Sequence, residues 1–448
     1  MQTAEPVRIA DMIDQRRLSP LQKSVMLLCT VIIVLDGFDV QAMAFTAAAV
    51  ATEYGIAKGD MGPLFAAGLI GMAVGALVVG PLGDRLGRKT ALRFSVLTFG
   101  IFTLATAFAT SYEMLFLLRL LTGIGLGGAL PNATALMTEY APARMRNFAV
   151  AVIFLGIPLG GILGGLLAAE LIPRYGWPSV FIVGGALPLL LVPLLELLLP
   201  ESLRFLAMLG ERGKEPLLKV IRRLDPAGNW GPEARFESPE AAPRGFPGAR
   251  LFDAGYARDS LLLWAAFFTN LMVIYFLISW TPLLVRESGF SQRAATQTAV
   301  LLNVGGAVGP LLLAWVVARW GSRLSLAAIF VLGGVATCLA GQVSHSLPLL
   351  MTLIFFAGFF SFAGQINLNA LAASIYPTQS RATGVGWALG IGRLGSILGP
   401  LVGGALVGLE LGMPVYFVTF GSVLLITMTV LLPIRRHQPP AAQAVAMT

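Results

Sequence analysis

Apolar stretches of about 20 residues follow one another along the chain, separated by short polar loops. An α-helix needs about 20 apolar residues to cross a bilayer. The longest polar interval falls in the middle and divides the stretches into six plus six. The pattern predicts twelve membrane segments, numbered here in chain order: about 24–50, 61–82, 90–110, 112–137, 147–169, 177–199, 259–284, 294–318, 324–343, 347–371, 382–408 and 411–433.

Residues 200–258 form the middle interval and are charged and rich in Pro and Gly. We interpret them as a cytoplasmic linker with a short amphipathic helix at 202–224. The predicted fold class is an all-α membrane protein whose twelve transmembrane helices form two six-helix bundles. The predicted parts are a cytoplasmic amino-terminal segment, the first bundle, the linker, the second bundle and a cytoplasmic tail: 1–23, 24–199, 200–258, 259–433 and 434–448.

Composition agrees with a membrane protein. Of the 448 residues, 56% are hydrophobic and only 12% are charged, whereas a soluble domain has about 25% charged residues. The amino-terminal segment lacks the apolar region of a signal peptide, so we expect it to remain uncleaved. Both cysteines lie inside apolar segments and predict no disulfide framework. With two histidines and no Cys/His cluster, neither a metal nor an organic cofactor is expected.

The basic residues predict the orientation of the chain. With the amino terminus inside, 25 of the 31 Lys and Arg residues fall on the inner side and four fall in outer loops. This bias is the positive-inside signal, and it accounts for the net charge of +8 without a nucleic acid partner. We therefore expect a multi-pass protein of the cytoplasmic (inner) membrane, embedded in the lipid bilayer with both termini cytoplasmic. The remaining two basic residues, Arg119 and Arg393, fall inside membrane segments.

The two halves repeat each other. Stretches in the first half match stretches at or close to 235 residues further along, in the pairs 85–89 with 319–323, 142–146 with 377–381, and 159–164 with 394–399. Parallel repeats of six helices, with substrate held between them near the midplane, are one architecture of secondary transporters.

Segment 1 carries two acids, Asp36 and Asp39, one helical turn apart and on one face. A charge at the centre of a membrane helix costs about 2.5–3.5 kcal/mol on the insertion scale. Such residues face a cavity, find a partner or take up a proton. We predict that Asp36 or Asp39 couples transport to protons. The alternative is that Asp36 only caps a helix break beside Gly37.

Three motifs resemble a known family. Residues 80–89, GPLGDRLGRK, resemble the loop signature of the major facilitator superfamily, and Arg119 with the glycines that follow it resembles a second motif of that superfamily. Residues 36–39, DGFD, resemble the aromatic acid/proton symporters, typified by the 4-hydroxybenzoate and protocatechuate permeases. The resemblance runs from about residue 12 to 433 and implies the major facilitator fold, no enzymatic activity, and import of an aromatic carboxylate with protons as coupling ion by alternating access.

The resemblance also assigns functional positions. It places this chain's residues on them as follows: Asp36, Asp39, Asp84, Arg119, Glu139, Arg381 and Arg393. The second-half loop departs from the signature, because Ala318 stands where the first half has Asp84. Control of gating is therefore expected to rest mainly on the amino-terminal copy.

Depth along the helices brings some of these residues together. At a rise of about 1.5 Å per residue, Asp36 lies some 20 Å from the inner face. Asp39 and Arg119 fall at similar depth, on helices that the resemblance places together in the amino-terminal bundle. We predict that Asp39 and Arg119 form an acid–base pair that exchanges partners during transport. The alternative is a static ion pair that fixes helix packing.

Arg393 lies about 18 Å from the inner face by the same measure. Its planar guanidinium suits a carboxylate and keeps its proton, so we predict that it holds the substrate carboxylate. Pairing with an acid is the alternative. We add aromatic residues for the ring and amides for a ring hydroxyl, with helix packing and interhelical hydrogen bonding as their alternatives. The predicted substrate-binding set is Arg119, Arg393, Asn270, Tyr275, Trp280, Gln365 and Trp387.

Residues at the predicted cytoplasmic mouth form a candidate gate. Asp84 can accept from backbone N–H groups at a helix start, and we interpret the loop between segments 2 and 3 as a latch. Charges that serve only to orient the chain are the alternative. The predicted gating set is Gly80, Asp84, Arg85, Arg88, Glu139, Arg146 and Arg381.

The remaining alternatives concern the cargo and the class of protein. Gly156, Pro158 and Gly160 loosely resemble an antiporter signature, so a proton-driven exporter of drugs or metabolites is one rival. Benzoate, hydroxybenzoate, protocatechuate, gentisate, a halogenated phenoxyacetate and muconate all remain open as the acid. A membrane enzyme or receptor has no supporting catalytic constellation. The expected oligomeric state is a monomer.

Overall fold

The computed structural model describes residues 7–14, 18–226, 228, 230–231, 236–237, 256–343, 345–376 and 381–434. Most of residues 227–255, residues 1–6 and 15–17, and the tail beyond 434 therefore lie outside the description. In the first half the elements are β1 (Val7–Arg8), α1 (Ile9–Asp14), α2 (Pro20–Tyr54), α3 (Met61–Leu86), α4 (Arg88–Thr106), α5 (Tyr112–Tyr140), α6 (Arg146–Tyr175), α7 (Pro178–Leu198), α8 (Leu203–Met208), α9 (Glu211–Leu224) and β2 (Phe236–Glu237). In the second half they are α10 (Ala257–Glu287), α11 (Gln292–Trp320), α12 (Ser322–Gln342), α13 (Leu347–Ile375), α14 (Arg381–Gly408) and α15 (Met413–Leu431).

Each of the twelve predicted membrane segments corresponds to one long helix, α2 to α7 or α10 to α15. Within the described residues, eleven helices are long and apolar enough to cross a membrane. The remaining predicted segment, α4, is less apolar because Arg88, Lys89 and Arg93 lie in its first two turns. The amphipathic helix predicted at 202–224 is present as α8 and α9, which are separated where Gly210 takes a φ of 58°.

Local signals explain where several helices begin and end. Ser19 and Gln22 cap α2 reciprocally: the Ser19 amide donates to Gln22 Oε1 at 2.8 Å and the Gln22 amide donates to Ser19 Oγ at 3.2 Å. Ser111 accepts from the Met114 amide at 3.2 Å and starts α5. Gly87, with a φ of 99°, separates α3 from α4. Such positive φ values favour glycine.

The described residues form two compact units. The first comprises residues within 1–42, 67–164 and 174–243, and the second comprises those within 43–66, 165–173 and 244–448. In the first unit, Gly37 of α2 lies against the Ile157 backbone of α6, and Gly123 of α5 lies against the Gly68 backbone of α3. These crossings leave no room for a Cβ, as in close packing of membrane helices.

The second unit has equivalent crossings. Gly395 of α14 lies against the Phe268 backbone of α10, and Gly358 of α13 lies against the Leu302 backbone of α11. Residues 43–54 of α2, 61–66 of α3 and 165–173 of α6 also belong to this unit. Within it, Glu170 of α6 forms a 2.8 Å ion pair with Arg293 of α11.

Candidate functional site

A buried ion pair lies inside the first unit. Arg119 of α5 donates from Nη1 to Asp39 of α2, at 3.3 Å to Oδ2 and 3.4 Å to Oδ1. The two side chains are only 4% and 2% exposed. Removing one partner of a buried pair costs about 3–5 kcal/mol, because the other charge is left uncompensated. The pairing expected from the depth of these residues is therefore present, and it is well shielded from water.

Three threonine side chains surround this pair, and we call Thr103, Thr106 and Thr122 the threonine cradle. The Thr103 hydroxyl donates to Asp39 Oδ1. Arg119 Nη2 donates to Thr106 Oγ1 at 2.7 Å and to Thr122 Oγ1 at 3.0 Å. Arg119 therefore holds hydrogen bonds to neutral hydroxyls as well as to a carboxylate, and the hydroxyl bonds do not depend on the charge of Asp39.

An aromatic face completes the surroundings of the guanidinium. The Phe181 ring of α7 lies with its centroid 4.9 Å from Arg119 Cζ. A desolvated cation over a ring face is stabilised by about 2 kcal/mol. Arg119 is thus held from α2, α4, α5 and α7 together.

The DGFD residues of α2 face different neighbours. Gly37 meets α6, and Phe38 packs on α7, where a Cβ added to Gly184 would lie 2.5 Å from the Phe38 ring. Asp39 turns toward α4 and α5. Asp36 is 2% exposed. The motif therefore combines a close helix crossing with two buried carboxylates.

The second unit holds the other intramembrane arginine in a different setting. Arg393 of α14 is half-buried, and its guanidinium makes no hydrogen bond or ion pair with the residues that the structure describes. Its backbone carbonyl accepts from Ser396 Oγ at 2.6 Å. A guanidinium in the middle of a membrane helix without a protein partner is suited to an anionic ligand.

The level of Arg393 along the helices follows from its glycine neighbours. A Cβ added to Gly392 would lie 2.6 Å from the Leu271 side chain and 3.4 Å from that of Phe267. Arg393 therefore lies at the level of the turn of α10 that carries Asn270.

Asn270 belongs to a chain of amide hydrogen bonds between α10 and α13. It is 0% exposed. Its Nδ2 donates to the Ser361 carbonyl oxygen at 3.3 Å and to Gln365 Oε1 at 2.9 Å. Gln365 is half-buried. Two of the predicted substrate-binding amides are thus in contact with each other.

The predicted aromatic residues separate into two groups. Trp387 is 43% exposed and stacks on Trp264, with centroids 5.7 Å apart and planes at 23°. Tyr275 is half-buried. Trp280 is 0% exposed, donates from Nε1 to the Pro400 carbonyl oxygen at 3.1 Å and meets the Phe65 ring edge-on. This enclosure favours a packing role for Trp280 over the predicted contact with a substrate ring.

The comparisons with known proteins agree with this architecture. A family model of the Major Facilitator Superfamily matches residues 27–328 and 299–447. The chain belongs to this superfamily. It is 42% identical to the gallate transporter of Pseudomonas putida over 418 aligned residues, and the alignment covers 93% of this chain and 92% of that protein. It is 41% identical over 409 residues to the 4-hydroxybenzoate transporter of Pseudomonas aeruginosa, which covers 90% of each.

A solved structure shows the same fold. The D-xylose-proton symporter superposes with a TM-score of 0.70 at 18% identity, over 92% of this chain and 97% of that one. The major facilitator fold and the superfamily predicted from the sequence are confirmed. The chain is accordingly a membrane transporter and not an enzyme, and its likeness to 4-hydroxybenzoate transporters is confirmed as well.

The superfamily loop between α3 and α4 forms a polar cluster in the first unit. Asp84 pairs with Arg88, and Arg88 Nη1 donates to Asn132 Oδ1 at 2.9 Å. The Lys89 amide donates to Glu201 Oε1 at 2.9 Å, and the Glu201 carboxylate lies against Gly87. The loop therefore binds α5 and the chain that follows α7.

The other predicted gating residues differ in burial and in contacts. Glu139 accepts from the Ser202 hydroxyl at 2.5 Å, and Gly80 is buried. Arg85, Arg146 and Arg381 are exposed. The residues Asn132, Glu201 and Ser202 are missing from the sequence-based set. Ser202 is the N-cap of α8, where its Oγ accepts from the Phe205 amide at 3.0 Å, and a serine just before a helix is the signal that could have pointed to it.

Proposed function

We propose that this transporter imports a small aromatic carboxylate together with protons, by alternating access. The observation that carries the proposal is Arg393, a half-buried guanidinium without a partner among the described side chains. A guanidinium keeps its proton, so a substrate carboxylate is the group that would balance its charge. The relatives named for gallate and 4-hydroxybenzoate support this class, since both compounds join a carboxylate to an aromatic ring.

The ring of the substrate would lie against the second unit. Trp387 offers an exposed indole edge beside its stacked partner Trp264, and Tyr275 is half-buried on α10. Aromatic pairs contribute about 0.5–1.5 kcal/mol beyond their buried area. Gln365 adds a polar group for a ring substituent. The carboxylate and the ring would thus be recognised by different residues.

Asp39 is the proposed proton-coupling residue, and Asp36, one turn away, is the second candidate. A proton on Asp39 would remove the negative charge that faces Arg119, while the hydroxyls of Thr106 and Thr122 would keep the guanidinium hydrogen-bonded. The pair can therefore be broken without leaving every donor of Arg119 unsatisfied. Protonation would then alter the contact between α2 and α5 and accompany the conformational change.

The polar cluster around Asp84, Arg88 and Glu139 is proposed to stabilise the cytoplasmic end, with Arg85, Arg146 and Arg381 available to form further pairs. We further propose that the protein is a monomer in the cytoplasmic membrane with both termini inside. The bias of Lys and Arg to that side supports this orientation.

Uptake into proteoliposomes tests the proposal. Radiolabelled 4-hydroxybenzoate should accumulate when the outside is made acidic, and a protonophore should abolish the accumulation. Equal uptake with and without the pH gradient would remove proton coupling. Substrate extrusion driven by inward protons would identify an exporter instead, and accumulation of muconate but of no aromatic acid would remove the aromatic substrate class.

A further inference from the structure

The amide of Gln365 has its orientation set by the protein. Its Oε1 accepts from Asn270 Nδ2 at 2.9 Å. Its own Nε2 donates to none of the described residues and lies on a half-buried side chain. One end of the amide is therefore occupied by protein, and the end with two hydrogens is left for another group.

The orientation of Asn270 is fixed in turn by a backbone group. Its Nδ2 also donates to the carbonyl oxygen of Ser361 at 3.3 Å. A backbone carbonyl can only accept hydrogen bonds, so the nitrogen of Asn270, and not its oxygen, must face α13. The second hydrogen of the same nitrogen then selects the oxygen of Gln365.

We infer that Asn270 is a positioning residue that holds Gln365 with its Nε2 hydrogens toward the substrate, so that Gln365 selects a ring substituent that accepts a hydrogen bond. This inference rests on the proposed function and specifies its substrate class. Arg393, at the level of the same turn of α10, would take the carboxylate. A hydroxyl or carbonyl oxygen on the ring then accepts a hydrogen bond from Gln365 Nε2. An amino substituent mainly donates hydrogen bonds, so its hydrogens would face those of Nε2.

The hydrogen bonding of Asn270 is incomplete, which argues that this residue is needed to orient Gln365. Asn270 is fully buried, and its Oδ1 has no hydrogen-bond partner within the described chain. An unsatisfied buried acceptor costs about 1–3 kcal/mol. An apolar residue at this position would avoid that cost, so the presence of asparagine is better explained by control over Gln365 than by packing.

Binding to the purified full-length protein tests the inference, measured by calorimetry with benzoate and its 3- and 4-substituted hydroxy, formyl and amino derivatives. The wild type should bind the hydroxy- and formylbenzoates about threefold to tenfold more tightly than the aminobenzoates, because one hydrogen bond contributes about that much. Asn270→Ala frees the Gln365 amide to turn, so this ratio should fall to about twofold or less, and benzoate should lose less affinity than the hydroxy and formyl acids.

Asn367→Ala is the matched control. Asn367 lies on the same helix as Gln365, is 5% exposed, and donates to the Ala363 carbonyl of its own helix at 2.8 Å. This variant should keep the wild-type ratio. If Asn270→Ala does not fold, Gln365→Leu provides the second test, because removing the donor should equalise the substituted acids as well.

The outcomes separate the inference from the proposed function. A wild type that binds none of these acids removes the aromatic substrate class. A wild type that binds the aminobenzoates most tightly overturns the inference and leaves the proposed function standing. So does an Asn270→Ala variant that keeps the wild-type ratio, or one that weakens benzoate as much as every other acid.

Discussion

The two halves of the chain share their close helix crossings but differ in their buried charge. Gly123 and Gly160 in the first half have glycine counterparts 235 residues later, Gly358 and Gly395, and all four lie against the backbone of a neighbouring helix. The positions of the ion pair do not repeat in this way.

The counterparts of Asp39 and Arg119 are Ile274 and Ile354, which are 3% and 0% exposed. The counterpart of Arg393 is Pro158. A single helical framework thus carries a closed, internally neutralised charge pair in one half and an open cation with amides in the other. This difference supports the proposal that proton coupling belongs to the first half and substrate recognition to the second.

The largest expected effect comes from breaking the ion pair. Arg119→Ile should destabilise the protein by about 3–5 kcal/mol, because Asp39 stays buried without its partner. The double variant Asp39→Ile with Arg119→Ile copies the second half and should recover most of that loss. Thermal unfolding measures stability, and uptake assays measure transport.

Transport should be absent from both variants if the pair couples protons. Proton-driven uptake by the double variant would show that the pair is only a packing feature. A double variant that remains as unstable as the single one would contradict the equivalence of the two halves at these positions.

The arginine of the second half should behave in the opposite way. Arg393→Leu should weaken carboxylate binding about tenfold to a hundredfold, the value of charge-assisted hydrogen bonds. Its stability should change by less than about 1 kcal/mol, because no described side chain depends on it. Titration calorimetry and thermal unfolding give the two values.

Arg286→Leu is the control, since Arg286 is exposed and donates to the Phe290 carbonyl oxygen at 3.0 Å. Its binding should match the wild type. A large loss of stability in Arg393→Leu, with binding intact, would move Arg393 from substrate recognition to structure.

The threonine cradle should have a smaller effect. Thr106→Val and Thr122→Val each remove a hydroxyl that accepts from Arg119 while keeping the shape of the side chain. Each should cost about 1–3 kcal/mol, because a buried donor loses its partner, and Thr→Ser at the same position should restore most of it. Equal stability of the valine and serine variants would show that the hydroxyls do not hold the guanidinium.

The sequence predicted the helices well because each segment is long and strongly apolar. The rise per residue also put Asp39 and Arg119 at similar depth, and the family resemblance placed their helices in one bundle. Depth does not determine how neighbouring helices are rotated, so Thr103 and Phe181, from other helices, could not be assigned to the pair. Thr122 could have been, because it follows Arg119 by three residues on the same helix face.

Aromatic residues were harder to assign for the same reason. Trp280 and Trp387 both lie in apolar segments, and only the packed structure shows that one is enclosed and the other 43% exposed. Glu201 was missed because it lies just beyond an apolar segment, where a charge is expected for topology alone. Its contacts with the loop that follows α3 depend on the fold.

The smallest effect, that of Gly386→Ala, belongs to a pair of α14 glycines that tests whether the shared crossings matter. Gly395 lies against the Phe268 backbone, whereas a Cβ added to Gly386 would meet no atom within 4 Å. Gly395→Ala should force the helices apart and cost about 1–3 kcal/mol. Gly386→Ala should leave stability unchanged or raise it by up to about 1 kcal/mol, because alanine favours a helix. Thermal unfolding of the two variants side by side measures the difference, and equal melting temperatures would remove close approach as the reason for glycine at 395. Gly160 occupies the same position in the first half. An equal loss of stability in Gly160→Ala would show that both halves depend on the same close helix crossing, although their buried charges differ.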